Sequence, residues 1–228
     1  MIREFVMSSI LKAMLEIKDM PYFRNHQAVS GKVHNDASHE EAVEKVLCRH
    51  NFTEHNVKLK KSTKTRDSWL VGDYDEQFFN MPNDTFISQP CGKNNSPDFI
   101  VKDNKGDLFF LECKSVKGGT PMYNSGIPKS DYIYILTSEK HNQTTVYLGQ
   151  DCVDTEQEKL LKEHIEEHRR LDEEFNKTLE QKNIYGVTFY TRPMLQHKGG
   201  ASKTDYFINK KRIYNEENVI KFIKQEMI

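Results

Sequence analysis

The chain has 228 residues, 36% hydrophobic, 11% aromatic and 29% charged; this balance excludes a disordered polypeptide and fits one sizeable globular domain. Its formal net charge of −1 argues against a polyanion binder that works through total charge. No apolar run approaches the roughly 18 residues of a membrane span. The four cysteines form no close pair, which excludes a disulfide framework or zinc spacing and leads us to expect a cytoplasmic protein.

In chain order, Ile2, Phe5, Val6, Ile10, Leu11, Leu15 and Ile17 recur at helical spacing and predict a helix over 2–18. Lys12, Glu16 and Lys18 interrupt its apolar face, which reads as amphipathic rather than as a signal peptide. A polar connection leads to a second helix at about 37–50, with Asn35 or Asp36 as N-cap and Ala42, Val43, Val46 and Leu47 on one face. Residues 51–79 are mixed, beginning as a short strand and ending in a helical turn. Residues 81–96 are rich in turn formers and predict a loop. Segments 98–103 and 107–116 flank Asn104–Gly106 and predict a β-hairpin, with Gly106 supplying a positive φ. Residues 132–138 read as a buried strand and 144–150 as its neighbour.

Residues 155–182 predict a long charged helix with a thin apolar line at Leu161, Ile165, Leu171, Phe175 and Leu179. Stretches 186–195 and 205–211 predict two more strands, and 215–228 a closing helix capped by Asn215. Charge is unevenly distributed: residues 153–182 hold ten acidic and six basic side chains, residues 183–228 eight basic and four acidic. The balanced total therefore conceals a positive region. The fold class is α/β or α+β in a single domain, 1–228.

The stretch "SPDFIVKDNKGDLFFLECKS" sets carboxylates and an amine among core-type residues. Residues two apart on a strand share a face, so Glu112 and Lys114 point the same way and Cys113 the other. A hairpin turning at Asn104–Gly106 pairs residues whose numbers add to about 210, which brings Asp98 opposite Glu112. Two carboxylates so placed repel unless a cation lies between them. A hard divalent cation such as Mg²⁺ relieves that repulsion and accepts water and phosphate oxygens. A nearby lysine stabilises charge on a phosphorane. The alternative is a set of solvated strand residues.

Pro97-Asp98, thirteen intervening residues and Glu112-Cys113-Lys114 resemble the signature of the PD-(D/E)xK nuclease superfamily. The following "VKGGTPMYNSGIPKSDYIYIL" resembles the same segment in some type II restriction endonucleases. The resemblance implies a restriction-endonuclease-like αβββαβ core at about 37–150, with a mixed central sheet flanked by helices. It implies Asp98, Glu112 and the Cys113 backbone carbonyl as Mg²⁺ ligands, and Lys114 as the lysine of the triad. Family members also place a glutamate on the preceding helix; the pattern E-x-x-V-x-x-x-L selects Glu40, with Val43 and Leu47.

Lys93, Lys117, Tyr123, Asn124, Ser125 and Lys129 around the hairpin, and Arg192, Lys198 and Lys203 in the basic region, are candidate DNA contacts. Residues 155–228 are then a helix plus a region for DNA contact and dimerisation. His50 and His55 lack a metal-spaced partner set and read as surface residues. The expected function is that of a type II restriction endonuclease cleaving double-stranded DNA to 5′-phosphate and 3′-hydroxyl ends. It would act as a homodimer, with no membrane partner and with a cognate DNA methyltransferase in the same system. The alternatives are a repair, junction-resolving or phage DNA-processing nuclease with the same site, and a non-catalytic DNA-binding module of the same fold.

Overall fold

The computed structural model describes residues 7–23, 39–56, 80–90, 96–123, 126–182 and 185–226. Its helices are α1 (Ser9–Ile17), α2 (His39–Arg49), α3 (Thr155–Glu180), α4 (Ala201–Thr204) and α5 (Arg212–Ile223). Its strands are β1 (Thr53–Glu54), β2 (Thr85–Ser88), β3 (Phe99–Lys102), β4 (Leu108–Val116), β5 (Met122–Tyr123), β6 (Tyr132–Ser138), β7 (Gln143–Leu148) and β8 (Leu195–Gln196). The class is mixed α/β, built on a six-stranded sheet in the order β1-β2-β3-β4-β6-β7. The β1–β2 and β4–β6 pairs are parallel and the others antiparallel. A separate two-stranded ribbon pairs β5 with β8.

Strand alternation sorts the core into two layers. Phe99, Val101, Phe109, Leu111, Cys113, Ile133, Ile135, Val146 and Leu148 pack with apolar residues of α1, α2 and α5. Ile100, Phe110, Tyr132, Tyr134, Leu136 and Tyr147 pack on the other side with Tyr123, Tyr206 and Phe207. Glu112 and Lys114, in phase with Phe110, belong to this second, aromatic face. Tyr134 and Tyr147 stack there at 5.4 Å, and Tyr123 meets Tyr134 edge-on at 5.6 Å.

The β3–β4 hairpin has the register its spacing predicts: Phe99 lies opposite Leu111 and Val101 opposite Phe109. Gly106 sits in the turn at φ 90. Asp103 closes the turn, accepting from the Lys105 and Asp107 N–H groups at 2.8 and 3.0 Å. It also accepts from Ser8 Oγ at 2.7 Å, which fastens the start of α1 to the hairpin.

Four expectations are corrected. Thr85–Ser88, within the stretch read as a loop, is strand β2, antiparallel to β3; the flanking turn formers hid a run of only four residues. Of 186–195 only Leu195 enters a strand. The rest runs beside α3, where Asn176 bonds both backbone groups of Phe189 and Asp172 accepts from Thr191 Oγ1 at 2.9 Å. Side-chain groups thus replace a neighbouring strand. Residues 205–211 form turns in which Asp205 accepts from the Phe207 N–H at 3.0 Å and Asn209 from the Lys211 N–H at 2.8 Å. The closing helix starts at Arg212 with Lys211 as N-cap, and Asn215 lies inside it.

The connection from β4 to β6 also differs from the αβββαβ pattern. Among its described residues it carries the short strand β5 and no helix. Gly118, Gly119, Pro121, Gly126 and Pro128 give it no helix-forming run. Helix α3 spans 26 residues, none of them buried. No described helix is long and apolar enough to cross a membrane. The sequence-predicted N-cap Asn35 or Asp36, and most of 51–79, lie outside the described residues.

Candidate active site

The β3–β4 pairing ends at Phe99–Leu111, and β4 continues to Val116. Asp98 completes the ladder in two ways. Its N–H donates to the Leu111 carbonyl at 3.0 Å, and its Oδ2 accepts from the Cys113 N–H at 2.6 Å. The Cys113 carbonyl points to the same side as its N–H, as alternation along a strand requires, and so faces the Asp98 side of β4. Lys114 Nζ donates to Glu112 Oε1 at 2.6 Å. The hairpin's open end therefore gathers Asp98, Glu112, Lys114 and the Cys113 backbone within one strand turnover.

Glu112 is 8% exposed, and its Oε2 has no hydrogen-bond partner among the described residues. An unpaired buried carboxylate oxygen is costly. Burial pushes the Asp98 carboxyl up to about 7; the Glu112 charge adds to the rise and that of Glu40 adds less, while the Cys113 N–H and Lys114 oppose it. Burial also pushes the Cys113 thiol well up, so this side chain is a neutral core group. Glu40, half-buried in the first turn of α2, bears on both Asp98 and Cys113 through its charge. Neighbouring Glu41 is exposed.

These groups suit a hard cation. The oxygens belong to two carboxylates that repel each other, one of them orphaned and buried, with a backbone carbonyl aimed the same way. Among the described residues no three His, Cys, Asp or Glu side chains form a ligand cluster, so Glu40 does not join Asp98 and Glu112 as a third ligand. Mg²⁺ fits such a sparse set because it binds through one or two carboxylates and keeps several waters.

The other expected residues divide. Lys117, Arg192, Lys198 and Lys203 are exposed, and Lys129 lies over the Tyr132 ring at 5.2 Å. Tyr123 is corrected: it is 3% exposed and its hydroxyl is hydrogen-bonded to Tyr147 at 2.9 Å and Cys152 at 3.3 Å, so it supports the fold rather than meeting DNA. Lys93, Asn124 and Ser125 lie outside the described residues. His50 binds Glu16 at 2.7 Å in a contact between α2 and α1.

Tyr134 is a site neighbour that sequence reasoning missed. It stands opposite Glu112 in the β4–β6 register. Its hydroxyl accepts from the Lys129 N–H at 3.0 Å, tying the end of the β4–β6 connection to the strand beside the carboxylates. Only the parallel pairing reveals it, since the 21 intervening positions carry no periodic link. Away from the carboxylates, a Cβ on Gly119 would lie 2.0 Å from Asp205 Oδ1, so the turn after β4 closes on Asp205 as glycine.

Comparison with protein-family models, curated proteins and solved structures returned no match.

Proposed function

We propose that the chain is a Mg²⁺-dependent, sequence-specific DNA endonuclease of the type II restriction class, with a restriction-endonuclease-like core. One observation carries the reading. Asp98, Glu112 and Lys114 meet at the open end of a buried hairpin, with a Glu112 oxygen unpaired among the described residues and an aspartate whose affinity for protons is raised by burial and by the Glu112 charge. Such a perturbed group beside a charged partner marks a functional site.

Asp98 and Glu112, with the Cys113 carbonyl, would hold the ion. Bound there, Mg²⁺ would supply Lewis-acid stabilisation of phosphate charge and a more acidic water. The Cys113 N–H holds Asp98 Oδ2 in place. Lys114, paired with Glu112 Oε1, would stabilise negative charge on the scissile phosphate and orient the attacking water. Glu40 adds negative charge at the rim and favours a cation between the carboxylates. The bond broken is P–O3′, leaving a 5′-phosphate and a 3′-hydroxyl.

Cutting both strands requires two such sites, and a homodimer on a palindromic target supplies them. A restriction enzyme also needs a cognate DNA methyltransferase to protect its own genome, and it would act in the cytoplasm. The test is incubation with unmethylated plasmid and phage DNA with and without Mg²⁺. Discrete fragments only with Mg²⁺ support the reading. Cutting confined to branched or damaged DNA would move the same site to repair or junction resolution. Binding without cutting would make the chain a DNA-binding module.

A further inference from the structure

The ribbon β5–β8 joins two stretches far apart in the chain. Residues 117–129 and 192–203 contain Lys117, Lys129, Arg192, Lys198 and Lys203, and no aspartate or glutamate. In a chain whose charges otherwise balance, the pairing of Met122 with Gln196 and Tyr123 with Leu195 brings these acid-free stretches together. The acidic helix α3 lies between them in sequence but contributes neither strand.

The ribbon has an inner and an outer side. Tyr123 is buried and Leu195 half-buried, and Tyr123 packs edge-on against Tyr134, which stands opposite Glu112. The inner side thus rests on the sheet face that carries Glu112 and Lys114. Met122 is 47% exposed and Gln196 is exposed. They form one outward pair, with Gln196 Nε2 near Met122 Sδ at 3.9 Å. The outward side thus carries an amide and a thioether, with Lys198 two residues beyond Gln196.

A two-stranded ribbon fits the B-DNA major groove, about 12 Å wide, and a glutamine amide matches the N6 and N7 edge of adenine. We propose that the β5–β8 ribbon is the base-reading element, with Gln196 pairing to an adenine and Met122 lying against the neighbouring base. Lys117, Lys198 and Lys203 flank it as phosphate contacts. This inference rests on the nuclease reading for its choice of DNA, and it is tested by binding rather than by cleavage.

The protein is incubated with a randomised duplex library in EDTA, and the bound fraction is sequenced for wild type, Gln196→Ala and Lys198→Ala. Both side chains are exposed, and equal melting temperatures confirm folding. The wild type is expected to select a site with a fixed A·T pair. Gln196→Ala is expected to lose preference at that pair by about tenfold. Lys198→Ala is expected to weaken binding to all sequences alike and to lower the salt dependence. Absence of wild-type selection overturns the proposal, as does a Gln196→Ala variant that selects the same site with the same preference. In either case, Mg²⁺-dependent cutting would leave the nuclease reading standing. Selection through Gln196 without cutting would do the reverse.

Discussion

The two ends of the β3–β4 hairpin use the same residue type in opposite ways. At the closed end Asp103 is fully buried, and its carboxylate accepts from Ser8 Oγ and two backbone N–H groups. At the open end Asp98 accepts from the Cys113 N–H and faces Glu112, whose own Oε2 has no partner among the described residues. A buried carboxylate whose acceptor sites are filled strengthens a fold. One that is crowded by another carboxylate stores repulsion that a cation can release. The carboxylate is satisfied at the hairpin's turn and crowded at its mouth.

The comparison can be broken most forcefully at the mouth. Asp98→Ala is expected to lower Mg²⁺-dependent cleavage by at least about 10³-fold, with DNA binding retained in a gel-shift assay. Near-normal cutting would remove Asp98 from the site. Asp103→Ala, at the turn, is expected to cost about 3 kcal/mol in urea unfolding, because Ser8 Oγ and two N–H groups lose a charged acceptor. Cleavage per folded molecule should be unchanged. Together the two variants separate chemistry from stability.

Asp98→Asn sharpens the contrast through pH. Because the folded-state carboxyl is raised to about 7 from an ordinary 3.8, the folded wild type binds more protons than the unfolded chain between those values. Its stability should therefore fall as pH rises from about 4 to about 7 and level off above. The asparagine variant should lack that fall and be more stable at pH 8 by roughly 2 kcal/mol, a figure reduced for the partial exposure of Asp98. A variant with the same pH slope as wild type would contradict the crowding of Asp98. Mg²⁺ should raise the melting temperature of the wild type and not of this variant, since a ligand stabilises only the form that binds it. The smallest effect is expected at Gly106→Ala, where φ is 90. A side chain there should cost about 1 kcal/mol without changing cleavage.

Much of the hairpin was legible because its signals are local. Gly106 marks the turn, the alternation of Phe109, Leu111 and Cys113 with Phe110, Glu112 and Lys114 marks the faces, and turn position sets the register. Strand β2 was not legible, since four residues between turn formers carry too short a pattern. The segment at 186–194 has strand-like composition, yet Asn176 and Asp172 of α3 hold it where a strand partner would be. Tyr123 looked like an exposed loop tyrosine until the pairing of β5 with β8 turned it inward.

The sequence by itself determined the faces of Glu112 and Lys114 and the hairpin register that sets Asp98 opposite Glu112, because period-two alternation and a glycine turn act over a few residues. Only the tertiary structure decided what surrounds them: how α2 lies against the sheet, Tyr134 beside Glu112, and two distant basic stretches joined in one ribbon. Those neighbours come from pairings between β4 and β6, between β5 and β8, and between α2 and the sheet. Contacts between residues far apart in the chain are selected by burial and shape across the whole core, and no local pattern encodes them.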